Sequence, residues 1–125
     1  MPRFTRIFLL TAAIALLAAI PATATADAPT AQAAKSCGVG NSRGYGPTYL
    51  LKLTVRRTSC RNGRKLVRAY YNCRKRNGGR KGRCGRALGY SCSESRFDKI
   101  SSQFSARVKC KKGSRRINHT YTQFT

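Results

Sequence analysis

The sequence predicts a small α+β domain in the order β-α-β-β-β, with one helix packed on an antiparallel sheet and disulfides stapling the two. Three observations carry that reading. Between Cys60 and Lys75 apolar residues recur at spacings of three and four, four other stretches alternate apolar with polar, and six cysteines follow an export signal in a short chain.

The export signal sits at the N-terminus. Arg3 and Arg6 form a positive start, Ile7 to Ile20 is an uncharged apolar stretch, and Pro21 breaks it. Ala24-Thr25-Ala26 then matches the small-x-small pattern of a secretory cleavage site, with Ala31-Gln32-Ala33 as the alternative. The apolar stretch is shorter than the ~20 residues that span a bilayer, so no transmembrane anchor is expected after cleavage at residue 26. Residues 27–36 are Ala, Thr, Pro and Gln-rich and read as a disordered leader, and residues 37–125 as a single secreted domain.

Within the domain, Cys37 opens a glycine-rich loop that runs to Pro47. It lacks the closing Gly-Lys-Ser/Thr and the preceding strand of a phosphate-binding loop. Thr48 to Val55 is the first strand, Tyr49, Leu51, Leu53 and Val55 alternating with Leu50, Lys52 and Thr54. Thr58 or Ser59 can then cap a helix over residues 60–75. Leu66, Val67, Tyr70, Tyr71 and Cys73 fall on one side of it, and Arg61, Arg64, Lys65, Arg68, Asn72 and Lys75 on the other. Gly78-Gly79 stops it. Three more strands follow, around Leu88-Tyr90-Cys92, Phe104-Ala106-Val108-Cys110 and Ile117-His119-Tyr121, the last two joined by a turn at Lys112-Gly113-Ser114.

Six cysteines in an exported chain of this size imply three disulfides, each contributing ~2–4 kcal/mol. Cys60 and Cys73 lie at opposite ends of the helix, about 20 Å apart at 1.5 Å per residue, and cannot pair. The predicted topology places Cys73 with Cys84 across the basic loop, Cys60 with Cys92, and Cys37 with Cys110. A zinc site has no support, because the sequence has one histidine and no Cys-x-x-Cys pair, so neither metal nor cofactor is expected.

Catalytic chemistry finds few candidates. Glu94 and Asp98 read as salt-bridge partners of Arg96 or Lys99, and a glycosidase reading fails for want of a second deep carboxylate. His119 lacks an obvious acid partner and reads as a sheet histidine. The chain is expected not to be an enzyme.

Positive charge is the dominant feature. Of 26 Lys+Arg, only Arg3 and Arg6 precede the cleavage site, which leaves 24 against three acids, Asp27, Glu94 and Asp98. Such an imbalance exceeds what solubility needs and points to an anionic partner. The densest run comprises Arg61, Arg64, Lys65, Arg68, Arg74, Lys75, Arg76, Arg80, Lys81, Arg83 and Arg86, on one helix face and the loop after it. Cations in the first helical turn oppose the helix dipole at a cost of ~0.3–1 kcal/mol each, which a bound anion would relieve. Tyr45, Tyr49, Tyr70, Tyr71, Tyr90 and Tyr121 can stack on bases or sugars, although Tyr70 and Tyr71 are better placed to pack the core.

The order Ser59-Cys60, the basic helix with Lys65-Leu66-Val67-Arg68-Ala69-Tyr70, Gly89-Tyr90-Ser91-Cys92, Arg107-Val108-Lys109-Cys110 and Lys112-Gly113 resembles small secreted, cysteine-rich proteins of high-GC Gram-positive, actinomycete-type bacteria. The likeness extends over about residues 37–124. It implies export and an α+β fold and contributes no catalytic residues. Cys73 and Cys84 look like an addition to a four-cysteine core, which fits their pairing with each other.

The leading expectation is a secreted, extracellular or wall-associated monomer that binds a polyanion or an envelope component. Nucleic acid is admitted as a partner without sequence specificity, since no recognition motif is present. The alternative is a protease or hydrolase inhibitor that uses the loop between Cys73 and Cys84 as bait. A membrane-active protein is a third reading, but no apolar face accompanies the charge.

Overall fold

The computed structural model describes residues 32–40, 42–47 and 49–125. The signal peptide, its cleavage site and residues 27–31 of the leader lie outside the described residues. One helix packs on a curled, six-stranded antiparallel sheet. In chain order the elements are β1 (Lys35–Cys37), β2 (Tyr49–Arg56), α1 (Cys60–Arg76), β3 (Arg86–Ala87), β4 (Tyr90–Ile100), β5 (Gln103–Lys112) and β6 (Arg115–Phe124). The sheet order is β1-β2-β6-β5-β4-β3.

The α+β class, the helix and four of the strands match the sequence reading, and two short edge strands enlarge it. Lys35–Cys37 is paired with Leu53–Val55 of β2, so the end of the expected leader is part of the sheet. Residues 35–37 escaped notice because three residues are too few to show a period, and their order comes from pairing with β2. Leu88 is not a strand residue. It forms, with Gly89, the two-residue turn between β3 and β4, both at positive φ, and its side chain is exposed. That is the backbone a tight hairpin demands, and it displaces the strand by two residues.

In β2 the register shifts between Leu50 and Lys52. The irregularity turns Leu50 inward beside Leu53 and Val55 and leaves Leu51 in solvent, where strict alternation would have buried it. Alternation holds in β4 up to Arg96, in β5 from Ala106 and through most of β6. Tyr90, Phe104, Ala106, Val108, Ile117 and Tyr121 meet Leu66, Val67 and Tyr70 of the helix in one core.

Ser59 caps the helix by accepting from the Asn62 amide at 3.2 Å. Close approach of helix to sheet depends on Gly63, where a Cβ would lie 2.8 Å from Val55 Cγ1. The helix therefore starts against β2. It ends near β3, with Cys73 Sγ 3.6 Å from the Arg86 carbonyl.

This crossing overturns two of the three expected disulfides. Cys73–Cys84 is present, but the other bonds are Cys37–Cys60 and Cys92–Cys110. The expected set assumed that β4 runs back past the helix start. Instead Cys60 stands at the β1-β2 side of the sheet, within reach of Cys37 and far from β4. Cys92 and Cys110 are direct partners in the β4-β5 register, with Cα atoms 4.1 Å apart.

Peptide mapping under non-reducing conditions is expected to recover Cys37 with Cys60 and Cys92 with Cys110. Recovery of a Cys60–Cys92 peptide would contradict this strand order. Gly63→Val, which forces a branched side chain against Val55, should lower stability by about 2–3 kcal/mol in denaturant titration.

Candidate anion-binding surface

The polar interior decides where the charges can go. Glu94 lies on the inner face of β4 with its side chain 3% exposed. Its Oε2 accepts from the Tyr70 hydroxyl of α1 at 2.7 Å and the Tyr121 hydroxyl of β6 at 2.8 Å, while Oε1 accepts from Arg96 Nε. Burial pushes the Glu94 carboxyl up, but the bonds from Tyr70, Tyr121 and Arg96 outweigh it and hold the group below the usual carboxylate range. Burial, reinforced by the adjacent carboxylate, pushes both tyrosine hydroxyls well above their ordinary value. The expected Glu94–Arg96 pair is thus real, but it is an internal strut and not a surface bridge.

Arg74 is the one predicted site residue that the fold removes from the surface. It is 1% exposed, its guanidinium lies 4.4 Å from the centre of the Tyr121 ring, and it donates to Gln123 Oε1 at 2.9 Å and to the Arg80 carbonyl at 3.3 Å. The helical period accounts for this. Residue 74 follows Val67 by seven and Tyr70 by four, which puts it on the apolar side. The density of neighbouring cations had masked that position. Tyr70, Tyr90 and Tyr121 are also interior and cannot stack on a ligand.

The loop after the helix is held from below. Arg96 donates to the carbonyls of Lys81 at 2.9 Å and Gly82 at 2.7 Å, and Arg74 binds that of Arg80. Gly82 sits against the helix end, where a Cβ would lie 2.0 Å from the Arg74 carbonyl. With its carbonyls turned in and Cys73–Cys84 closing it, the loop presents Arg80, Lys81, Arg83 and Arg86 outward. Arg83 Nη1 remains 3.8 Å from Glu94 Oε1.

On the helix, Arg61, Lys65, Arg68, Asn72 and Lys75 recur at steps of four and three and form one exposed stripe, about 21 Å long at 1.5 Å per residue. Arg76 extends it at the C-terminal end. The glycine-rich segment folds onto this side. Its Ser42–Tyr45 portion is a 3-10 turn, and Gly46, at φ 108°, lies against the Tyr71 ring. Its carbonyls take up cations: Arg64 donates to Gly38 at 2.8 Å and Arg68 to Gly44 at 3.0 Å. Arg61, Arg64, Lys65 and Arg68 line, with Tyr45, a groove of about 340 Å³. Among the described residues the ion pairs are those of Arg83 and Arg96 with Glu94, so no acid neutralises the stripe.

The sequence reading passed over a second group of cations. Arg107, Lys109 and Lys111 of β5, with Lys52, Arg56 and Arg116, lie on the sheet face away from the helix. Their alternation with Val108 and Cys110 was the available signal, but it pointed only to a solvated face. No family model, curated protein or solved structure matches this chain.

His119 is buried against Tyr70 and Tyr121, with ring centroids 5.3 and 6.0 Å away, and its Nδ1 has no hydrogen-bond partner among the described residues. Burial first, then the positive charge of Arg74, pushes it down to about 3, with Glu94 acting the other way. The unfolded chain takes up this proton below its ordinary 6.5, whereas the folded chain does so only near 3. Stability should therefore fall as pH drops across that window. Glu94 adds a second loss below 4.5, because its folded value is depressed. Thermal melting against pH should show both. His119→Leu is expected to flatten the curve between pH 6.5 and 4.5 and leave the steeper acid limb.

Proposed function

We propose that this chain is a non-catalytic, exported domain that binds an anionic polymer or cell-envelope component through the basic side of its helix and the loop that follows. The observation that carries the reading is the basic side of the helix, which meets no acid among the described residues and on which Arg64 and Arg68 are oriented by backbone carbonyls. A cation paired with a carboxylate would have to break that pair to bind a ligand. Arg64 and Arg68 instead use part of a guanidinium on a carbonyl and keep other N–H groups for phosphate, sulfate or carboxylate oxygens. Holding them in place beforehand lowers the ordering cost of binding. Release of counterions from the polymer supplies the drive.

Export is supported by the three disulfides, which form in oxidising compartments. Among the described residues no helix is long and apolar enough to cross a membrane. The interior argues against catalysis. Both Glu94 oxygens are engaged, and His119 is buried and neutral, so neither reaches a substrate from solvent.

The inhibitor reading fares worse. Residues Gly79–Lys81 form a 3-10 turn, and the carbonyls of Arg80, Lys81 and Gly82 are bonded internally. A protease takes its bait extended, with those carbonyls free.

The mature protein should be retained on heparin and on isolated cell-wall material, and released by salt along a log-linear gradient. Replacing Arg61, Lys65, Arg68, Lys75, Arg80 and Lys81 by Gln should elute at much lower salt with an unchanged melting temperature. Retention that persists at about 1 M NaCl, where charge interactions are screened within ~3 Å, would contradict the proposal.

A further inference from the structure

The outer face of the sheet is built as three parallel rows. The register places Ser95, Arg107, Thr120 and Lys52 side by side across β4, β5, β6 and β2. The next row is Ser93, Lys109, Asn118 and Thr54, and the third is Ser91, Lys111, Arg116 and Arg56. Each row thus begins on a serine, carries a cation on β5, and continues through side chains that donate hydrogen bonds. The described acids are elsewhere: Glu94 faces the core, and Asp98 lies beyond Phe97 where the β4-β5 register breaks.

Three features point to a ligand. Lys111 stands directly opposite Arg116, and Arg116 opposite Arg56, so like charges are neighbours with no acid between them. Such pairs destabilise a sheet unless an anion joins them. Arg56 Nε is shielded from solvent and has no hydrogen-bond partner among the described residues. The face holds grooves of about 500 and 570 Å³, which share Lys109 and Asn118.

The spacing and chemistry narrow the ligand class. Arg107, Lys109 and Lys111 repeat every second residue, about 6.8 Å at the antiparallel rise. An extended phosphodiester with six backbone bonds per repeat has a similar phosphate spacing. Serine and threonine hydroxyls and the Asn118 amide suit phosphate oxygens and polyol hydroxyls alike. Bases or sugar rings would need an open aromatic platform. Phe97 is the aromatic residue lining these grooves, and Arg107 already covers its ring at 4.7 Å.

We infer that the outer sheet face is a second anion-binding surface, a track along β5 for an unbranched polyol phosphate chain that lacks bases. The inference shares the polyanion reading of the helix side but rests on different residues and a different face.

The test uses the mature protein and two triple variants, R107Q/K109Q/K111Q on the sheet and R61Q/K65Q/R68Q on the helix. Poly(glycerol phosphate) and oligothymidylate of equal charge serve as probes. The sheet variant should bind poly(glycerol phosphate) at least about tenfold more weakly, with a salt slope reduced by about two for three lost phosphate contacts. The helix variant should lose markedly less affinity for it than the sheet variant does, and oligothymidylate should distinguish the sheet variant from the parent little. Amide shift mapping on the unmutated protein should follow β5 and its partners when poly(glycerol phosphate) is added, which guards against a folding defect in the variant. Equal losses in both variants, or shifts confined to the helix side, would overturn the inference and leave the helix-side reading standing. Equally strong sheet-dependent binding of oligothymidylate would overturn the choice of a base-free chain. If the protein binds neither probe nor heparin, both readings fail together.

Discussion

One buried negative charge holds the two layers of this domain together. Glu94 reaches from the sheet to a hydroxyl on the helix and another on β6, and its remaining oxygen is bonded by Arg96. A carboxylate taken out of water is costly unless every oxygen is satisfied, and here donors from three elements meet that need. Removing any donor leaves the charge under-bonded inside the core. The geometry of helix on sheet is therefore fixed by a polar junction as well as by the apolar contacts of Leu66, Val67 and Ile117.

That junction also organises the loop. Arg96 pairs with Glu94 through Nε and spends its two terminal nitrogens on loop carbonyls, so the same side chain that satisfies the acid shapes the segment above it. Arg74 performs a parallel task from the helix, resting on the Tyr121 ring and reaching Gln123. Glu94 is engaged by Arg96 and approached by Arg83, which leaves the remaining outward cations of the helix and loop with no acid to meet among the described residues. Segregation of charge follows: the acid is consumed in the interior, and the surface is left positive on both sides of the sheet.

Much of this was legible in the residues. The helix periodicity from Cys60 onward, the Ser59 cap, the Gly-Ser turn before Arg115 and the alternation in β5 and β6 each point to the element that forms. The elements that resisted reading owe their form to partners distant in sequence. Residues 35–37 become a strand only beside β2, and Leu51 turns outward only because of a register shift there. Two of the three expected disulfides failed for a related reason, since local patterns do not say at what angle a helix crosses a sheet. Arg74 is different: its spacing of four from Tyr70 is readable in the sequence, but the cations clustered around it mask that position.

The three bonds share a simple order along the chain. Cys37 closes with Cys60, Cys73 with Cys84 and Cys92 with Cys110, so every cysteine pairs with the next one in sequence and no loop encloses another. The nested arrangement first expected would have joined the most distant cysteines last. Short sequential loops remove less entropy from the unfolded chain than long ones. In exchange, they make order of emergence and order of pairing coincide. A chain delivered N-terminus first into an oxidising space meets each correct partner before the next cysteine arrives, and the need for thiol shuffling falls accordingly.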